Sequence, residues 1–252
     1  MPNHSKVEVR PLTEHSEFRN AVQLQKDIWG FEDIDVLPLR FFVVATKIGG
    51  QALGAFYRDQ MIGFCMAVPG LRLDGKRYLH SHMLGVLPEF RNAGVGRKMK
   101  LAQREEALGR GIDMIEWTFD PLELKNAYFN VERLGAIVRQ YRPNQYGTST
   151  STLHGRLPTD RCVAEWWLWS PRVRAILAGQ QVQRNPVEAS IALPSDIAAM
   201  RIQNPERTRE IQQTAAGQFA AAFSRDLAVI GFEKSEDSGT YLLGKWDSNQ
   251  NK

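Results

Sequence analysis

The chain has 252 residues, of which 43% are hydrophobic and 24% are charged, and its net charge is +4 at pH 7. This composition is typical of a globular protein and does not favour a disordered chain, and the mild positive excess argues against a nucleic-acid partner. Cys65 and Cys162 are too few for a disulfide framework. No apolar run is long enough to cross a membrane, so we expect no membrane partner. We therefore expect a cytoplasmic protein with two buried thiols.

The first part of the chain predicts two helices. Residues 16–29 place apolar side chains at helical spacing, and Thr13 or Ser16 is expected to cap that helix. Residues 37–50 predict a second helix, or a buried segment, that ends at a glycine pair.

Strands dominate the next part of the chain. Residues 52–70 predict two strands joined by a turn, and a further strand is predicted over residues 76–86 after an Asp-Gly turn. A helix over residues 94–108 and a strand over residues 113–120 follow.

A second β-α step begins at the sequence DPLELKNAYFNVERLG. Asp120 is expected to cap this helix, with Pro121 at its first position, Glu123 completing a capping box and Gly135 ending it.

Two more strands are predicted near residues 136–142 and 162–169. The order of elements predicts a mixed α/β fold with a mostly antiparallel sheet and flanking helices. The character of the sequence changes after Pro171, so we expect a catalytic domain over residues 1–170. Residues 171–252 are then a C-terminal α+β extension with a long helix and a final hairpin.

A glycine segment, RNAGVG, leads from the predicted strand over residues 76–86 into a helix. Backbone N–H groups at a helix N-terminus carry partial positive charge, and glycines allow a phosphate to approach them closely. Arg91, Arg97 and Lys98 add positive charge nearby. From the residues alone, a structural turn and a phosphate site are both open interpretations.

The longer stretch LGVLPEFRNAGVGRKM, together with NAYFNVERLGA, closely resembles the acyl-CoA signature and second conserved helix of the GNAT superfamily of N-acyltransferases. The resemblance covers about residues 7–170 and is closest to a bacterial subgroup of GNAT proteins. It implies that Leu84, Gly85 and Val86 contact the pantetheine and polarise the thioester carbonyl. It further implies that acyl-CoA is bound by Arg91, Asn92, Ala93, Gly94, Val95, Gly96, Arg97, Asn126 and Phe129.

Two histidines, His80 and His82, lie upstream of the glycine segment and are expected to share one face of a strand with Leu84 and Val86. Metal ligands, core residues and an active-site pair are three interpretations of this spacing. A metal site needs further converging ligands, which the spacing does not provide, so no metal is expected. The GNAT resemblance favours proton abstraction from an amine, a role that suits the ordinary pKa of histidine.

The general acid is less clearly indicated. Many GNAT enzymes have a tyrosine where this chain has Val131, so the usual acid is replaced. Tyr128, one helical turn earlier, is our first candidate, and Tyr141 and Tyr146 are others. Direct reprotonation of the thiolate by solvent stays open, because an ordinary thiol has a pKa of about 8.5.

Several residues are candidates for the acceptor pocket, although each also has a structural interpretation. The aromatic candidates are Trp29, Phe31, Phe41, Trp117 and Phe119. Glu116 is expected either to attract an amine or to form a salt bridge on a strand face. Arg156 and Arg161 are candidates for binding a carboxylate on the acceptor or on the acyl group.

These residues predict an N-acyltransferase that moves an acetyl or other short acyl group from acyl-CoA to a primary amine, such as that of an amino acid. Three alternatives stay open: a protein N-acetyltransferase, a non-catalytic acyl-CoA sensor and, from the basic isoelectric point alone, a nucleic-acid binder. The expected partner is a small-molecule amine, and the sequence leaves a homodimer open.

Overall fold

The computed structural model describes residues 7–147 and 157–251 of the chain. These residues form two compact units, one of residues 7–115 and one of residues 116–147 and 157–251. The predicted boundary after residue 170 separates the residues that resemble the GNAT superfamily from the C-terminal extension. This boundary stays a prediction. Across the two described ranges, no helix combines the length and the apolar character needed to cross a bilayer.

The first unit is an antiparallel meander with three helices. Its elements are β1 (Val7–Pro11), α1 (His15–Trp29), α2 (Leu39–Lys47), β2 (Gln51–Tyr57), β3 (Gln60–Leu71), β4 (Arg77–Val86) and α3 (Val95–Gly109). Neighbouring strands pair in the order β1-β2-β3-β4, each antiparallel to the next. Phe42, Phe64 and Met66 are completely buried at the centre of its core.

Helix α1 begins with a capping box, but at a different residue from the one expected. Glu14, with extended backbone, is the N-cap, and Glu17 accepts the backbone N–H of Glu14 at 3.1 Å. The prediction of Thr13 or Ser16 as the cap is therefore wrong, because the reciprocal Glu14–Glu17 pair satisfies these N–H groups. Gly30, with φ of 66°, ends the helix in the left-handed conformation.

The second unit contains most of the remaining strands. Strand β5 (Met114–Phe119) runs from the first unit into the second. It is followed by α4 (Leu124–Tyr128), a π-helical turn (Phe129–Arg133), β6 (Ile137–Arg142), β7 (Arg161–Trp167), α5 (Pro171–Leu177), β8 (Ala189–Pro194), α6 (Ile197–Gln203), α7 (Pro205–Phe223), β9 (Leu227–Lys234) and β10 (Ser238–Lys245). Antiparallel pairing gives the order β7-β6-β9-β10-β8.

The start of α4 corrects a second prediction. Asp120 does not cap a helix; its carboxylate accepts the N–H of Leu122 at 2.8 Å and its carbonyl accepts the N–H of Glu123 at 3.0 Å. These bonds form a turn that delays the helix to Leu124. The prediction of a helix from Pro121 is wrong for this reason.

The mixed α/β class with a mostly antiparallel sheet and flanking helices is confirmed. In the second unit, the long helix α7 covers the sheet through Phe219, whose ring lies 5.3 Å from that of Tyr141 and 5.2 Å from that of Tyr241. The residues after 170 therefore share a core with strand β6.

Candidate active site

The loop between β4 and α3 has the backbone expected of an anion cradle. After a short 3₁₀ turn (Pro88–Phe90), Asn92 and Gly94 adopt left-handed conformations with φ of 61° and 78°. Helix α3 then begins at Val95, which is buried, and no side chain caps its first N–H groups. The helix start is therefore fixed by the core while its backbone donors are left for a ligand.

Three cations were predicted close to this loop, and the structure gives them different tasks. Arg91 donates from Nε to the carbonyl of Val86 at 3.2 Å and from Nη2 to the carbonyl of Ile28 at 3.3 Å. Lys98 donates to a backbone carbonyl of β1. Arg97 differs, since its buried Nε has no hydrogen-bond partner among the described residues.

These features fit the pyrophosphate of coenzyme A. A Cβ placed on Gly94 would meet no atom within 4 Å, so space for a ligand lies directly beside the left-handed cap. Arg97, in the first turn of α3, adds its positive charge to that of the helix N-terminus. Arg91 instead holds the end of β4 against the end of α1, which shapes the loop without reaching into it.

A β-bulge interrupts β4 at the histidine pair. Met83 pairs with Met66 of β3 and Ser81 pairs with the following residue, Ala67, so His82 has no partner in the ladder. A bulge leaves its extra residue outside the regular pairing and turns the strand locally.

The bulge corrects the expectation that His80, His82, Leu84 and Val86 share one face. Ser81 faces α3, where its hydroxyl donates to Gln103 at 3.1 Å, and Leu84 also faces α3, with its Cδ2 3.6 Å from a Cβ built on Gly96. Strict alternation would put Ser81 and Leu84 on opposite faces; the extra residue reverses the alternation between them. Leu84 therefore lies on the face opposite His80.

The two imidazoles remain neighbours, with ring centroids 6.1 Å apart. His80 is half-buried, whereas the side chain of His82 reaches the surface. Even so, desolvation by surrounding protein atoms lowers the pKa of His82 below its ordinary value, and the nearby His80 lowers it further. In the described part of the chain, no group of three His, Cys, Asp or Glu side chains is placed to hold a metal ion.

A buried polar chain lies behind the histidine pair. Lys100 on α3 is 3% exposed, and its Nζ donates to the Ser81 hydroxyl at 2.9 Å. Burial lowers the pKa of Lys100 to about 7. This lysine is not among the site residues predicted from the sequence, although its helical spacing from Val95, Met99 and Gln103 places it on the buried stripe of α3.

In the second unit, the candidate acid Tyr128 ends α4 and is half-buried. The ammonium group of Lys234 on β9 lies 4.0 Å from its ring centroid, a cation–π distance. Asn126 is exposed and Phe129 is half-buried on the same helical segment, whereas Val131 is completely buried. No local sequence signal could have indicated Lys234, because it joins the segment only through the fold.

The other two tyrosines are engaged elsewhere. The Tyr141 hydroxyl donates to the carboxylate of Asp160 at 2.6 Å, and burial together with that carboxylate raises the pKa of Tyr141 strongly. The Tyr146 hydroxyl is hydrogen-bonded to that of Thr118 at 2.8 Å. A tyrosine with a strongly raised pKa is a poor proton donor, so Tyr141 is the weaker candidate.

The aromatic acceptor candidates of the first unit lie around α1. The ring of Trp29 is stacked on that of Phe31 at 5.6 Å and meets Phe64 edge to face at 5.9 Å. Phe41 on α2 is 38% exposed. Trp29 also lies where a Cβ on Gly85 would be, 2.6 Å from the nearest ring atom, so glycine is required at that position of β4.

The acceptor candidates of the second unit are mostly buried. Trp117 packs edge to face on Trp166 at 6.0 Å, and Phe119 is 5% exposed. Glu116 is half-buried and Arg161 is 8% exposed.

Arg161 donates from Nη1 to the carbonyl of Asp160 at 2.8 Å, and burial lowers its pKa. Arg156 lies outside the described residues, so its expected role stays a prediction.

Residues 17–135 match the model of the Acetyltransferase (GNAT) family. A search of curated protein sequences finds no significant match to the chain.

Solved structures share the fold. The ribosomal-protein-S18-alanine N-acetyltransferase from Escherichia coli is 14% identical, with a TM-score of 0.50 over 71% of this chain and 98% of its own. Arabidopsis thaliana NAA60, in complex with a bisubstrate analogue, is 15% identical, with a TM-score of 0.52 over 64% of this chain and 98% of its own. An aminoglycoside 6'-acetyltransferase type Ii is 18% identical, with a TM-score of 0.51 over 64% of this chain and 97% of its own. At these identities the likeness concerns the fold, and the first and third of these proteins are named for acceptors of different kinds.

Proposed function

Residues 17–135 form a domain of the GNAT acetyltransferase family, and from this premise we propose that the protein transfers an acetyl group from acetyl-CoA to the primary amine of a small molecule, such as an amino acid. The observation that carries the proposal lies within the first unit. The desolvated His82 stands on the bulge of β4, the strand that leads to the uncapped N-terminus of α3.

The loop between β4 and α3, which we call the α3 loop, is proposed to hold the pyrophosphate. Its left-handed Gly94 leaves open space, its first-turn N–H groups are uncapped and Arg97 adds positive charge in the first turn of the helix. Charge-assisted hydrogen bonds from these groups would fix the co-substrate without using either histidine.

His82 is the proposed base, with His80 as its neighbour. An amine arrives protonated at neutral pH and must lose a proton before it attacks a carbonyl carbon. Because its pKa is lowered, His82 is largely neutral at pH 7 and its free nitrogen can accept that proton, directly or through water. The unpaired position in the bulge leaves its backbone free of the β3 ladder.

Tyr128 is the proposed acid. Acetyl-CoA, when bound, supplies the thioester carbonyl carbon, and the new C–N bond forms as the C–S bond breaks. The phenol proton would pass to the departing sulfur, giving the free thiol of coenzyme A, and the proton that the attacking nitrogen then loses would restore the phenol. Lys234 holds the Tyr128 ring from one face through its cation–π contact. If solvent supplies the proton instead, replacing Tyr128 with Phe will leave kcat unchanged.

We attribute the proposed preference for amino acids to binding of their carboxylate by Arg161. A guanidinium binds a carboxylate through two charge-assisted hydrogen bonds, and Arg161 is the proposed group for this contact. An α-amino acid carries such a carboxylate next to its amine, whereas an aminoglycoside carries only cationic amines.

A panel of paired acceptors tests this function, with release of the coenzyme A thiol as the measurement. Each amino acid is compared with the amine obtained by removing its carboxylate, and acetyl-CoA is compared with succinyl-CoA as donor. We expect thiol release with amino acids and acetyl-CoA, and a kcat/KM at least about tenfold lower for the decarboxylated amines.

The other outcomes separate the alternatives. Equal rates for both members of every pair would remove the role proposed for a carboxylate. Preference for peptides that begin with a free amine would indicate a protein N-acetyltransferase. Tight binding of coenzyme A with no thiol released by any amine would indicate an acyl-CoA sensor, a role that the buried Val131 at the usual acid position favours.

A further inference from the structure

A cavity of about 330 Å³ lies within the second unit, beside the π-helical turn and the end of α5. We call it the arginine cavity. Its charged and amide side chains are Glu132, Arg133, Arg172, Gln180, Gln181 and Arg184. None of these residues has a role in the proposed acetyl transfer.

Arg172 is the most informative of these residues because it is buried, with 7% of its surface exposed. Its Nε donates to the carbonyl of Gly135 at 3.1 Å and its Nη2 to the carbonyl of Val131 at 3.0 Å. No carboxylate among the described residues lies within 4.0 Å of its guanidinium. A buried charge is costly unless a counter-charge accompanies it. Arg172 has only neutral carbonyls as hydrogen-bond acceptors, and the Glu132 carboxylate acts on it from beyond 4.0 Å.

The surroundings do not supply the missing negative charge. Glu132 is already engaged, with one oxygen 2.8 Å from Arg184 and the other accepting the N–H of Phe232 at 2.7 Å. Arg133 makes no ion pair within the described parts of the chain. The cavity therefore has an excess of guanidinium groups over carboxylates, and the desolvation of Arg172 lowers its pKa to about 10.

We propose that the arginine cavity binds a small molecule that carries a carboxylate or phosphate group, with Arg172 and Arg133 as its principal contacts. The volume lies at the lower end of the range for small-molecule sites, about 300–1,000 Å³. Gln180 and Gln181 also line the cavity, and their side-chain amides would donate to further oxygens of the same ligand.

Such a ligand would act on the segment that carries Tyr128. Arg172 holds the carbonyls of Val131 and Gly135, which lie in and just after the π-helical turn that continues α4. An anion that fixes the guanidinium would therefore stabilise this segment, so binding is expected to raise the unfolding temperature as well as to be visible directly.

The test is isothermal titration calorimetry on the full chain, with inorganic phosphate and citrate as separate probes and urea as a neutral probe. Saturating coenzyme A is present in every titration, so that the α3 loop is occupied. Arg133→Gln is the main variant, because this exposed side chain can be changed without breaking an ion pair. Arg174→Gln is the matched control, since Arg174 is exposed on α5, the helix of Arg172, and does not line the cavity.

We expect phosphate, citrate or both to bind, with no heat from urea, and the dissociation constant to rise about tenfold in Arg133→Gln and to stay unchanged in Arg174→Gln. Binding of phosphate alone would identify a phosphate ligand, and binding of citrate alone a carboxylate ligand. The proposal is overturned if neither anion binds, or if both variants bind as tightly as the unmodified protein. Because the comparison of variants does not need catalysis, its failure is distinct from a failure of the proposed acetyl transfer.

Discussion

His82 can accept a proton at neutral pH because desolvation and the neighbouring His80 both disfavour its charged form. The direction of the shift matters for the proposed reaction. A lowered pKa leaves the imidazole neutral over more of the physiological range, so that more of the enzyme is ready to receive the proton of an amine. The same shift lowers the free energy of unfolding as the pH falls below the ordinary histidine pKa of about 6.5. The reason is that the unfolded chain then binds a proton at His82 more readily than the folded protein does.

Replacing His82 with Gln is expected to lower kcat about 100-fold, the lower end of the usual contribution of a general base. In the unmodified protein, activity should rise with pH through a midpoint below about 6.5 and then level off. That acidic limb should be absent from the variant. The measurement is thiol release from acetyl-CoA over about 3 pH units, from about pH 5 to about pH 8.

His15→Gln is the matched control for this prediction, since His15 is an exposed histidine at the start of α1. It should retain both the rate and the pH profile of the unmodified protein. The KM for acetyl-CoA should be unaffected in either variant, because the α3 loop is unchanged. An acidic limb that persists in His82→Gln would assign the proton transfer to another group.

The start of α3 combines two properties at one residue. Gly94 has a φ of 78°, which costs any residue with a side chain about 1 kcal/mol. Gly94 also borders open space, so that a Cβ at this position would contact the proposed pyrophosphate and no protein atom. These effects can be separated, because Gly111, just after the end of α3, has a φ of 69° and is likewise open within 4 Å.

Gly94→Ala and Gly111→Ala should therefore lower the free energy of unfolding by similar amounts, about 1 kcal/mol each. Only Gly94→Ala should weaken the binding of coenzyme A, about tenfold, because only its methyl group would face the phosphate. Denaturant unfolding and calorimetric titration of coenzyme A measure the two effects. Equal affinities in the two variants would argue against a phosphate at this helix start.

Elements with strong local signals were predictable from the sequence, and those set by distant contacts were not. The hairpin of β9 and β10 and the glycine-led helix α3 follow from alternation and turn residues close in the chain. The bulge at His82 has no local signature, because it is a matter of register with β3. The late start of α4 likewise depends on whether the Asp120 carboxylate accepts an N–H in a turn or in a helix, which local sequence does not decide.

The candidate site divides in the same way. The glycine segment and the histidine pair could be found from spacing and family resemblance. By contrast, the partners of Arg91 are two backbone carbonyls, one of them on α1. The burial of Lys100 and the contact of Lys234 with Tyr128 also depend on how distant elements pack. Side-chain roles of this kind require coordinates, since sequence spacing gives only the residues that share an element.

The residues after 170 are part of the second unit's core. Val229 of β9 pairs with Val138 of β6, and the Tyr241 hydroxyl donates to the carbonyl of Pro121 at 2.6 Å. Arg201 of α6, 6% exposed, forms ion pairs with Asp120 at 2.9 Å and with Glu123. Losing a buried partner of this kind is more damaging than losing a surface pair, because it leaves a charge uncompensated.

A chain that ends at residue 170 is therefore expected to lose the fixed packing of its second unit. Trp166 of β7, which is completely buried, is a suitable probe, because its near-ultraviolet circular dichroism requires a rigid environment. That signal should be lost in the shortened chain, whereas a chain that ends after Trp246 keeps β10 and should retain it. If the 170-residue chain keeps both the signal and a cooperative unfolding transition, residues 171–252 are a separable extension and the core contacts of Val229 and Tyr241 are dispensable.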